Sequence, residues 1–273
     1  MTQHYIEAGQ ISPAAITFNH LKACRYGHML YNIHDVYVGR SLDLYGEFSE
    51  GEVGLFRQLV KPGDLVLDVG ANIGTHTLFF SQRVGATGRV LAFEPQRIVF
   101  QTLCANLAIN SATNVWCYPH AVGGEPGEVF VPALDYRREN NFGGLSLGAH
   151  SEGEPVPVVS LDGLGLGRCD LIKIDVEGME RAVLAGAVHT VRRFRPLLYV
   201  ENDRAERSAD LIRFIDELGY SMYWHCPTLY NRHNYFGNPV NVFGNLVSAN
   251  MLCVHRNAPS QLEGFRAVQV PLD

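Results

Sequence analysis

The first half of the sequence alternates between short apolar runs and longer amphipathic segments, and this alternation constrains the fold more than any other feature. The runs at 65–69, 90–93 and 115–121 predict strands, and the segments between them predict helices over 75–84 and 96–110. Unbroken apolar runs are typical of strands buried on both faces, and the intervening helices are typical of crossover connections. The sequence therefore predicts an α/β fold with a mostly parallel sheet.

The second half of the sequence continues the same pattern. Four further predicted strands bring the principal strands to seven, at 171–174, 197–200, 221–224 and 251–254. Helices are predicted near Gly178 and over 205–218. The sheet should therefore extend through almost the whole chain.

The length of 273 residues suits one large hydrophobic core better than two average domains. We predict that residues 1–49 form an N-terminal extension packed on the core, and that residues 50–273 form the main domain. Its first helix should begin after Ser49, the predicted N-cap, with Glu52 as the capping-box partner. Inserts into this domain are predicted at about 135–155 and 225–250.

Charge and cysteine usage exclude some classes of protein. A net charge of -6, with no basic run longer than Arg192–Arg193, argues against a nucleic-acid partner. The six cysteines show no paired spacing, which favours reduced thiols. No signal-peptide pattern and no apolar run of roughly 20 residues is present, so we expect a cytoplasmic protein without a membrane span.

An acid and a glycine bend follow the first buried strand, in the stretch VLDVGANIGTHTLFF. Ligands of such sheets bind beyond the carboxyl ends of the strands, where Gly70 and Gly74 permit a tight bend and a close backbone approach. Asp68 is unfavourable beside a pyrophosphate, and Asn72 stands where a dinucleotide motif has its second glycine. An acid at this position suits a cationic group such as that of S-adenosylmethionine. Alternatively, Asp68 and Asn72 only cap the following helix.

Further acids stand at the ends of two other predicted strands. Glu94 could accept both ribose hydroxyls of an adenosine, whichever cofactor carries it, or it could simply favour the next helix start. Asp175, Glu177 and Glu180 could converge on a ligand to bind an ammonium group, orient a hydroxyl or accept its proton. Alternatively, Glu177 and Glu180 only stabilise the start of the following helix.

Three segments together resemble the signature of the FkbM family of S-adenosylmethionine-dependent methyltransferases: VLDVGANIGTHTLFF, LAFEPQ and LIKIDVEGMERAVLAGA. The resemblance covers about residues 47–201. It implies a class I methyltransferase Rossmann-like fold, with seven strands of which the last is antiparallel and with helices on both faces. It also implies transfer of a methyl group to a hydroxyl of a sugar, a glycolipid or glycan, or a secondary metabolite.

The resemblance also implies a set of cofactor-binding residues. The glycine bend would hold the methionine end of S-adenosylmethionine, the acid after the second strand the ribose, and the residues after the third strand the adenine. The set comprises Glu47, Asp68, Gly70, Asn72, Gly74, Thr75, Glu94, His120, Ala121 and Asp175.

An alcohol acceptor is a weak nucleophile at neutral pH, so a base near the methyl donor is expected. Asp175, Glu177 and Glu201 are the predicted catalytic residues, and His225 is an alternative base. A Mg²⁺ ion could instead be held by Asp175, Glu201, Asn202 and Asp203, but no spacing demands it and we predict no metal.

The acceptor is predicted to contact the aromatic segment 225–250 through Tyr230, His233 and Tyr235, although packing of this segment on itself is an equal alternative. The expected partners are a small-molecule or glycan acceptor and a second copy of the chain. Two other functions stay open: a nicotinamide-dependent oxidoreductase and a non-catalytic protein with the same fold.

Overall fold

The computed structural model describes residues 17–147, 150–258 and 264–271, so part of the predicted N-terminal extension lies outside the described residues. The strands are β1 (Asn19–Cys24), β2 (Gly27–Asn32), β3 (Leu65–Val69), β4 (Arg89–Phe93), β5 (Val115–Tyr118), β6 (Ala121–Val122), β7 (Gly127–Val131), β8 (Glu154–Val159), β9 (Leu171–Ile174), β10 (Leu197–Glu201), β11 (Tyr220–His225), β12 (Asn250–His255) and β13 (Arg266–Ala267). The α-helices are α1 (Val38–Tyr45), α2 (Glu50–Leu59), α3 (Thr75–Val84), α4 (Arg97–Ile109), α5 (Glu180–Ala185), α6 (Val188–Phe194) and α7 (Ala205–Glu217).

The central sheet has the strand order β13-β11-β12-β10-β9-β3-β4-β5. Strands β5, β4, β3, β9 and β10 pair in parallel, and β12 is antiparallel to both of its neighbours. This topology confirms the predicted class I Rossmann-like sheet, in which the last of seven principal strands is antiparallel. Among the described residues it gains an eighth, two-residue strand, because β13 pairs with β11.

Helices cover both faces of this sheet, as predicted. Val66 and Tyr199 pack on one face with apolar side chains of α2 and α3. Leu67 and Ile172, on the opposite face, pack with side chains of α5, α6 and α7. Alternate residues of each strand are therefore buried on opposite sides, which explains the unbroken apolar runs in the sequence.

The predicted strand over 115–121 is wrong in its second half. Strand β5 ends at Tyr118, and β6 instead pairs with β8 in a separate three-stranded sheet of order β6-β8-β7. Pro119 explains the break, because proline has no N–H to donate to a ladder and interrupts strand pairing.

The predicted capping box at the start of α2 is also wrong, although the helix begins where expected. Ser49 has a left-handed backbone with φ 47° and makes no side-chain cap. Its hydroxyl donates to Glu52 Oε1 over 2.9 Å instead. The Glu52 carboxylate is therefore turned into the protein interior.

The described part of the N-terminal segment packs on the core through β2 and α4. Asn106 of α4 accepts from the Leu30 N–H (2.6 Å) and donates to the Leu30 carbonyl (3.0 Å). The same amide donates to the carbonyl of Ile73, directly before α3, over 2.8 Å. One buried side chain thus ties the β1–β2 hairpin to the glycine bend, while the domain boundary at residue 49 stays a prediction.

None of the helices in the described ranges is both long and apolar enough to cross a lipid bilayer.

Candidate functional site

Two connected clefts lie at the carboxyl ends of β3, β4, β9 and β10. We name them the apolar cleft and the polar cleft; the space between their walls, with the solvent at their mouths included, is about 470 Å³ and about 1370 Å³. The clefts share a boundary formed by Gly70, Glu94, Gly143, Asp175 and Glu177. A single elongated ligand can therefore occupy both.

The apolar cleft has the character of a pocket for a flat ring. His120 and Ala121, predicted to contact adenine, both line it. The insert predicted at 135–155 covers it, because the Gln96 side chain donates to the Phe142 carbonyl over 2.7 Å and fixes the following residues above the strand ends. The remaining apolar lining comes from Phe93, Val122, Leu145, Leu147, Val176 and Met179.

The glycine bend brings the ends of β3 and β9 together. Gly70 has φ 80°, and a Cβ added there would lie 1.8 Å from the Asp175 carbonyl oxygen, so no other residue fits. Asn72, with φ 50°, points its backbone N–H at Glu94 Oε2 over 3.0 Å. Asn72 and Thr75 line the polar cleft, next to the boundary.

Glu94 faces both clefts from the end of β4. It is 4% exposed, and its Oε1 accepts from the Gln96 N–H over 2.9 Å. Burial raises the pKa of Glu94 to about 7, although the backbone donors of Gln96 and Asn72 oppose this shift. Each carboxylate oxygen has a second lone pair, which leaves Glu94 able to accept from ligand hydroxyls.

Asp68 lies behind the clefts and lines neither of them. It is fully buried, and its Oδ2 accepts from the Thr77 hydroxyl over 2.6 Å. Its Oδ1 lies 3.3 Å from Nζ of Lys173, a buried residue paired with Asp68 across β3 and β9. The cation facing Asp68 is therefore a lysine of the chain, and the direct ligand contact predicted for Asp68 finds no support in this placement.

Lys173 links Asp68 to the cleft wall. Its Nζ lies 3.3 Å from Asp175 Oδ2 and donates to the Gly70 carbonyl over 3.2 Å. Burial opposes the charged form, but Asp175, Asp68 and Glu52 hold the pKa of Lys173 above its usual value. The sequence analysis missed Lys173, since a single lysine inside an apolar run carries no pattern of its own.

The three predicted catalytic carboxylates meet in the polar cleft. Asp175, Glu177 and Glu201 each place one oxygen within 4.8 Å of the other two. Burial and the neighbouring Asp175 charge raise the pKa of Glu177 to about 7, and Arg204 pairs with Glu177 and opposes the shift. Burial and the charges of Asp175 and Glu177 raise the pKa of Glu201 well above its usual value. The cluster thus attracts a cation, whether a sulfonium, an ammonium or a metal ion.

The metal alternative loses one of its predicted ligands. The Asn202 amide donates to Met251 Sδ over 3.3 Å and does not line the polar cleft. Asp203 does line it, beside Arg204.

The rest of the polar cleft is assembled from distant segments of the chain. Tyr37, Val38 and Phe48 come from the N-terminal segment, and Leu246 and Val247 come from 225–250. Its floor contains two residues that the sequence analysis did not place in a site, Glu52 of α2 and His76 of α3. The position of His76 directly after the glycine bend is the one sequence signal that could have identified it.

The residues predicted to bind the acceptor fix the segment 225–250 instead of lining a cleft. The buried Glu47 carboxylate pairs with Arg25 (2.6 Å) and accepts from the Asn231 amide and the Tyr235 N–H (both 2.8 Å). The Tyr230 hydroxyl donates to the Asn238 carbonyl over 3.2 Å, and the His233 carbonyl accepts from Arg25. Glu47, Tyr230, His233 and Tyr235 are absent from the linings of both clefts.

Comparisons with known proteins agree on one enzyme class. A family model, the methyltransferase FkbM domain, matches residues 68–222, more than half of the chain. Methyltransferase sdnD from Sordaria araneosa is 28% identical over 154 residues, which covers 44% of this chain and only 59% of that relative.

Solved structures with a similar arrangement align over most of the chain at low identity. The methyltransferase FkbM from Methylobacillus flagellatus KT is 17% identical, with a TM-score of 0.46 over 73% of this chain and 50% of its own. A SAM-dependent O-methyltransferase from Thermotoga maritima is 12% identical, with a TM-score of 0.48 over 78% of this chain and 67% of its own. Because the family model spans the glycine bend, the strand-end carboxylates and the sheet between them, the chain belongs to the FkbM family of methyltransferases, whose methyl donor is S-adenosylmethionine.

Proposed function

We propose that this methyltransferase transfers the methyl group to a hydroxyl of a small molecule or glycan, such as a sugar, a glycolipid or a secondary metabolite. The observation that carries the proposal is the pair of connected clefts, one apolar and one lined by carboxylates. The first suits the adenosine of the donor, and the second suits its cationic end together with an acceptor.

The donor would be held by residues of the two clefts and their boundary. His120 and Ala121 would contact the adenine, and Glu94 would accept from the ribose hydroxyls. The backbone of Gly70, with Asn72 and Thr75, would surround the methionine end, and Gly74, which lines neither cleft, would shape the bend that carries them. Asp68 would act indirectly, by holding Lys173 next to Asp175.

S-adenosylmethionine supplies a methyl group that its sulfonium has already activated, so the chain mainly has to position and desolvate the acceptor. Asp175, Glu177 and Glu201 would stabilise the positive charge of the donor and orient the acceptor hydroxyl toward it. Each is also a candidate for the base. Glu177 is the best matched of the three, because its pKa of about 7 lets it accept a proton near neutral pH.

The nature of the acceptor follows from the walls of the polar cleft. Leu229, Leu246 and Val247 line the same cleft as the carboxylates, which supports an acceptor with an apolar body and a polar end. The segment 225–250 would form the acceptor wall through these residues, with Tyr230, His233 and Tyr235 keeping the wall in place. The cytoplasmic location and a homo-oligomer stay predictions.

The proposal is tested by methyl transfer from S-adenosylmethionine labelled in its methyl group to an extract of the cells that make the protein. We expect label in an alkali-stable methyl ether of a small molecule or glycan, identified by mass analysis. Label in protein, in nucleic acid or on a nitrogen atom would contradict the proposed acceptor class. A variant with Gly70→Ala serves as the inactive control.

A further inference from the structure

A buried histidine on the floor of the polar cleft lacks hydrogen-bond partners. His76 is 5% exposed, and its Nε2 is sealed from solvent without a partner. Neither ring nitrogen makes a hydrogen bond to any residue that the structure describes. A buried polar atom left unpaired costs about 1–3 kcal/mol, so an orphan nitrogen beside a cleft points to a ligand or a catalytic role.

A buried carboxylate lies next to this ring. Glu52 is 4% exposed, and its Oε2 is 3.7 Å from His76 Nε2. The other oxygen, Oε1, is occupied by donors, since it accepts from the Ser49 hydroxyl (2.9 Å) and the Asn250 amide (3.3 Å). These two donors orient the carboxylate so that Oε2 faces the imidazole.

The aromatic surroundings hold the ring in place. Phe56 of α2 packs edge-on against it at 5.5 Å between ring centroids, and Phe48 lies at 6.0 Å. The titratable groups that face it are Glu52 from α2, whose pKa burial raises, and Lys173 from β9, with Asp175 beyond the lysine. Burial and then the Lys173 charge lower the pKa of His76 well below its usual value, so the ring is neutral at neutral pH.

The acidic cluster is a poorer location for the developing negative charge of an acceptor. Removing the proton from a hydroxyl places negative charge on its oxygen, and the ionised members of this cluster of three carboxyl groups within 4.8 Å of each other would repel it. Glu177 is further engaged by Arg204, and Asp175 by Lys173. His76 carries no negative charge that would repel this oxygen, and the Glu52 carboxyl group beside it can offset the Lys173 charge once the ring takes a proton.

We propose that His76, backed by Glu52, is the general base that takes the proton of the acceptor hydroxyl. This inference rests on the proposed function and refines it. The acceptor O–H bond breaks and its proton passes to Nδ1 of the imidazole, the ring nitrogen that is not sealed from solvent and does not face Glu52, while an oxygen electron pair forms the new O–CH₃ bond. The electron pair of the broken C–S bond stays on sulfur, which becomes a neutral thioether. The Glu52 carboxylate holds the resulting imidazolium until the proton is lost to water.

The test uses the full chain with His76→Ala, His76→Gln and Glu52→Gln. His189→Asn is the matched control, because His189 is exposed on α6 and lies outside both clefts. Three quantities are measured: the affinity for S-adenosylhomocysteine by calorimetry, the turnover of labelled methyl groups into the cell extract, and the protonation of the His76 ring by nitrogen NMR. The glutamine variant keeps a polar side chain in case the alanine variant is unstable.

We expect both His76 variants to bind S-adenosylhomocysteine within about threefold of the wild type and to lose about 100-fold or more in kcat. Added imidazole should restore part of the activity of His76→Ala and none of that of His76→Gln. In the wild type the ring should be neutral at pH 7. Glu52→Gln should lose about tenfold in kcat, and His189→Asn nothing.

A kcat within about threefold of the wild type in both His76 variants, or a ring already charged at pH 7, would overturn the inference. Either result would leave the proposed function intact if the wild type still binds S-adenosylhomocysteine and labels an acceptor. Absence of S-adenosylhomocysteine binding by the wild type would instead refute the proposed function itself.

Discussion

The apolar and polar clefts share a boundary but are built in different ways. The apolar cleft is lined by short stretches at the ends of β3, β4, β5 and β9 and by one insert, so short stretches of sequence specify it. The polar cleft combines the N-terminal segment, α2, α3, the ends of β9 and β10, and the segment 225–250. A site for a common donor can be encoded locally, whereas a site for a particular acceptor requires segments far apart in the sequence.

The largest expected effect is a loss of stability on replacing Lys173, which lines the polar cleft beside Asp175 of the boundary. Replacing it by methionine leaves Asp68 buried without a counter-charge, and we expect the free energy of unfolding to fall by about 3–5 kcal/mol in urea titrations. Lys22→Met is the control. Its ion pair with Asp43 is more than one-third exposed on both sides, so it should cost less than about 1 kcal/mol. Equal losses in the two variants would contradict a buried role for Lys173.

The next effect concerns the contact between the ends of β3 and β9. Gly70→Ala forces a Cβ against the Asp175 carbonyl at a left-handed φ, and we expect a loss of about 3 kcal/mol in unfolding free energy together with the loss of S-adenosylhomocysteine binding. Gly165→Ala has a similar φ of 60° with open space around it and should cost only about 1 kcal/mol. A Gly70→Ala protein that binds normally would show that the close approach is dispensable.

The sequence predicts the donor side well because its signals are local. The predicted bounds of β3, α3 and β9 agree with the structure to the residue, and Glu94 lies at the cleft boundary as expected. The two strands, and the strand that precedes Glu94, each rest on an apolar run that ends at a glycine or an acid.

The acceptor side escaped sequence analysis for a physical reason. The Ser49 and Glu52 pattern is typical of a local cap, but the Glu52 carboxylate instead meets His76 and Asn250. The aromatic residues of 225–250 are typical of substrate contact, yet Tyr230 serves the internal structure of that segment. The first outcome depends on contacts between residues far apart in the chain, and the second depends on how the segment folds on itself, so no local pattern predicts either.

The affinity for the donor product should depend on Glu94 at the cleft boundary and not on an acid outside the clefts. Glu94→Gln removes a charged acceptor from the donor hydroxyls, and we expect S-adenosylhomocysteine to bind about 10- to 100-fold more weakly in calorimetry. Glu128→Gln, an exposed position on β7, should bind normally. An unchanged affinity in Glu94→Gln would remove Glu94 from the donor site.

The same group should make donor binding depend on pH. The pKa of Glu94 is raised to about 7 in the free protein, and hydroxyl donors favour its charged form. Affinity should therefore fall by up to about tenfold between pH 8 and pH 6, as the carboxylate takes up a proton. Calorimetry at both pH values checks this, and a dependence that persists in Glu94→Gln would assign it to another group.

The smallest expected effect lies on the acceptor wall. Leu246→Ala removes apolar surface from a side chain that is already 40% exposed, so the KM for the acceptor should rise only about fivefold. The affinity for S-adenosylhomocysteine should not change. A loss of donor affinity in this variant would contradict the division of the site into donor and acceptor regions.

The central claim is that strand-end carboxylates and an apolar pocket form a site for a cationic, adenosine-bearing methyl donor. Calorimetry of the wild-type chain with S-adenosylmethionine, S-adenosylhomocysteine and NAD tests it most directly. We expect saturable, one-to-one binding of the first two and no heat from NAD. Binding of NAD without binding of either sulfur compound would contradict the account.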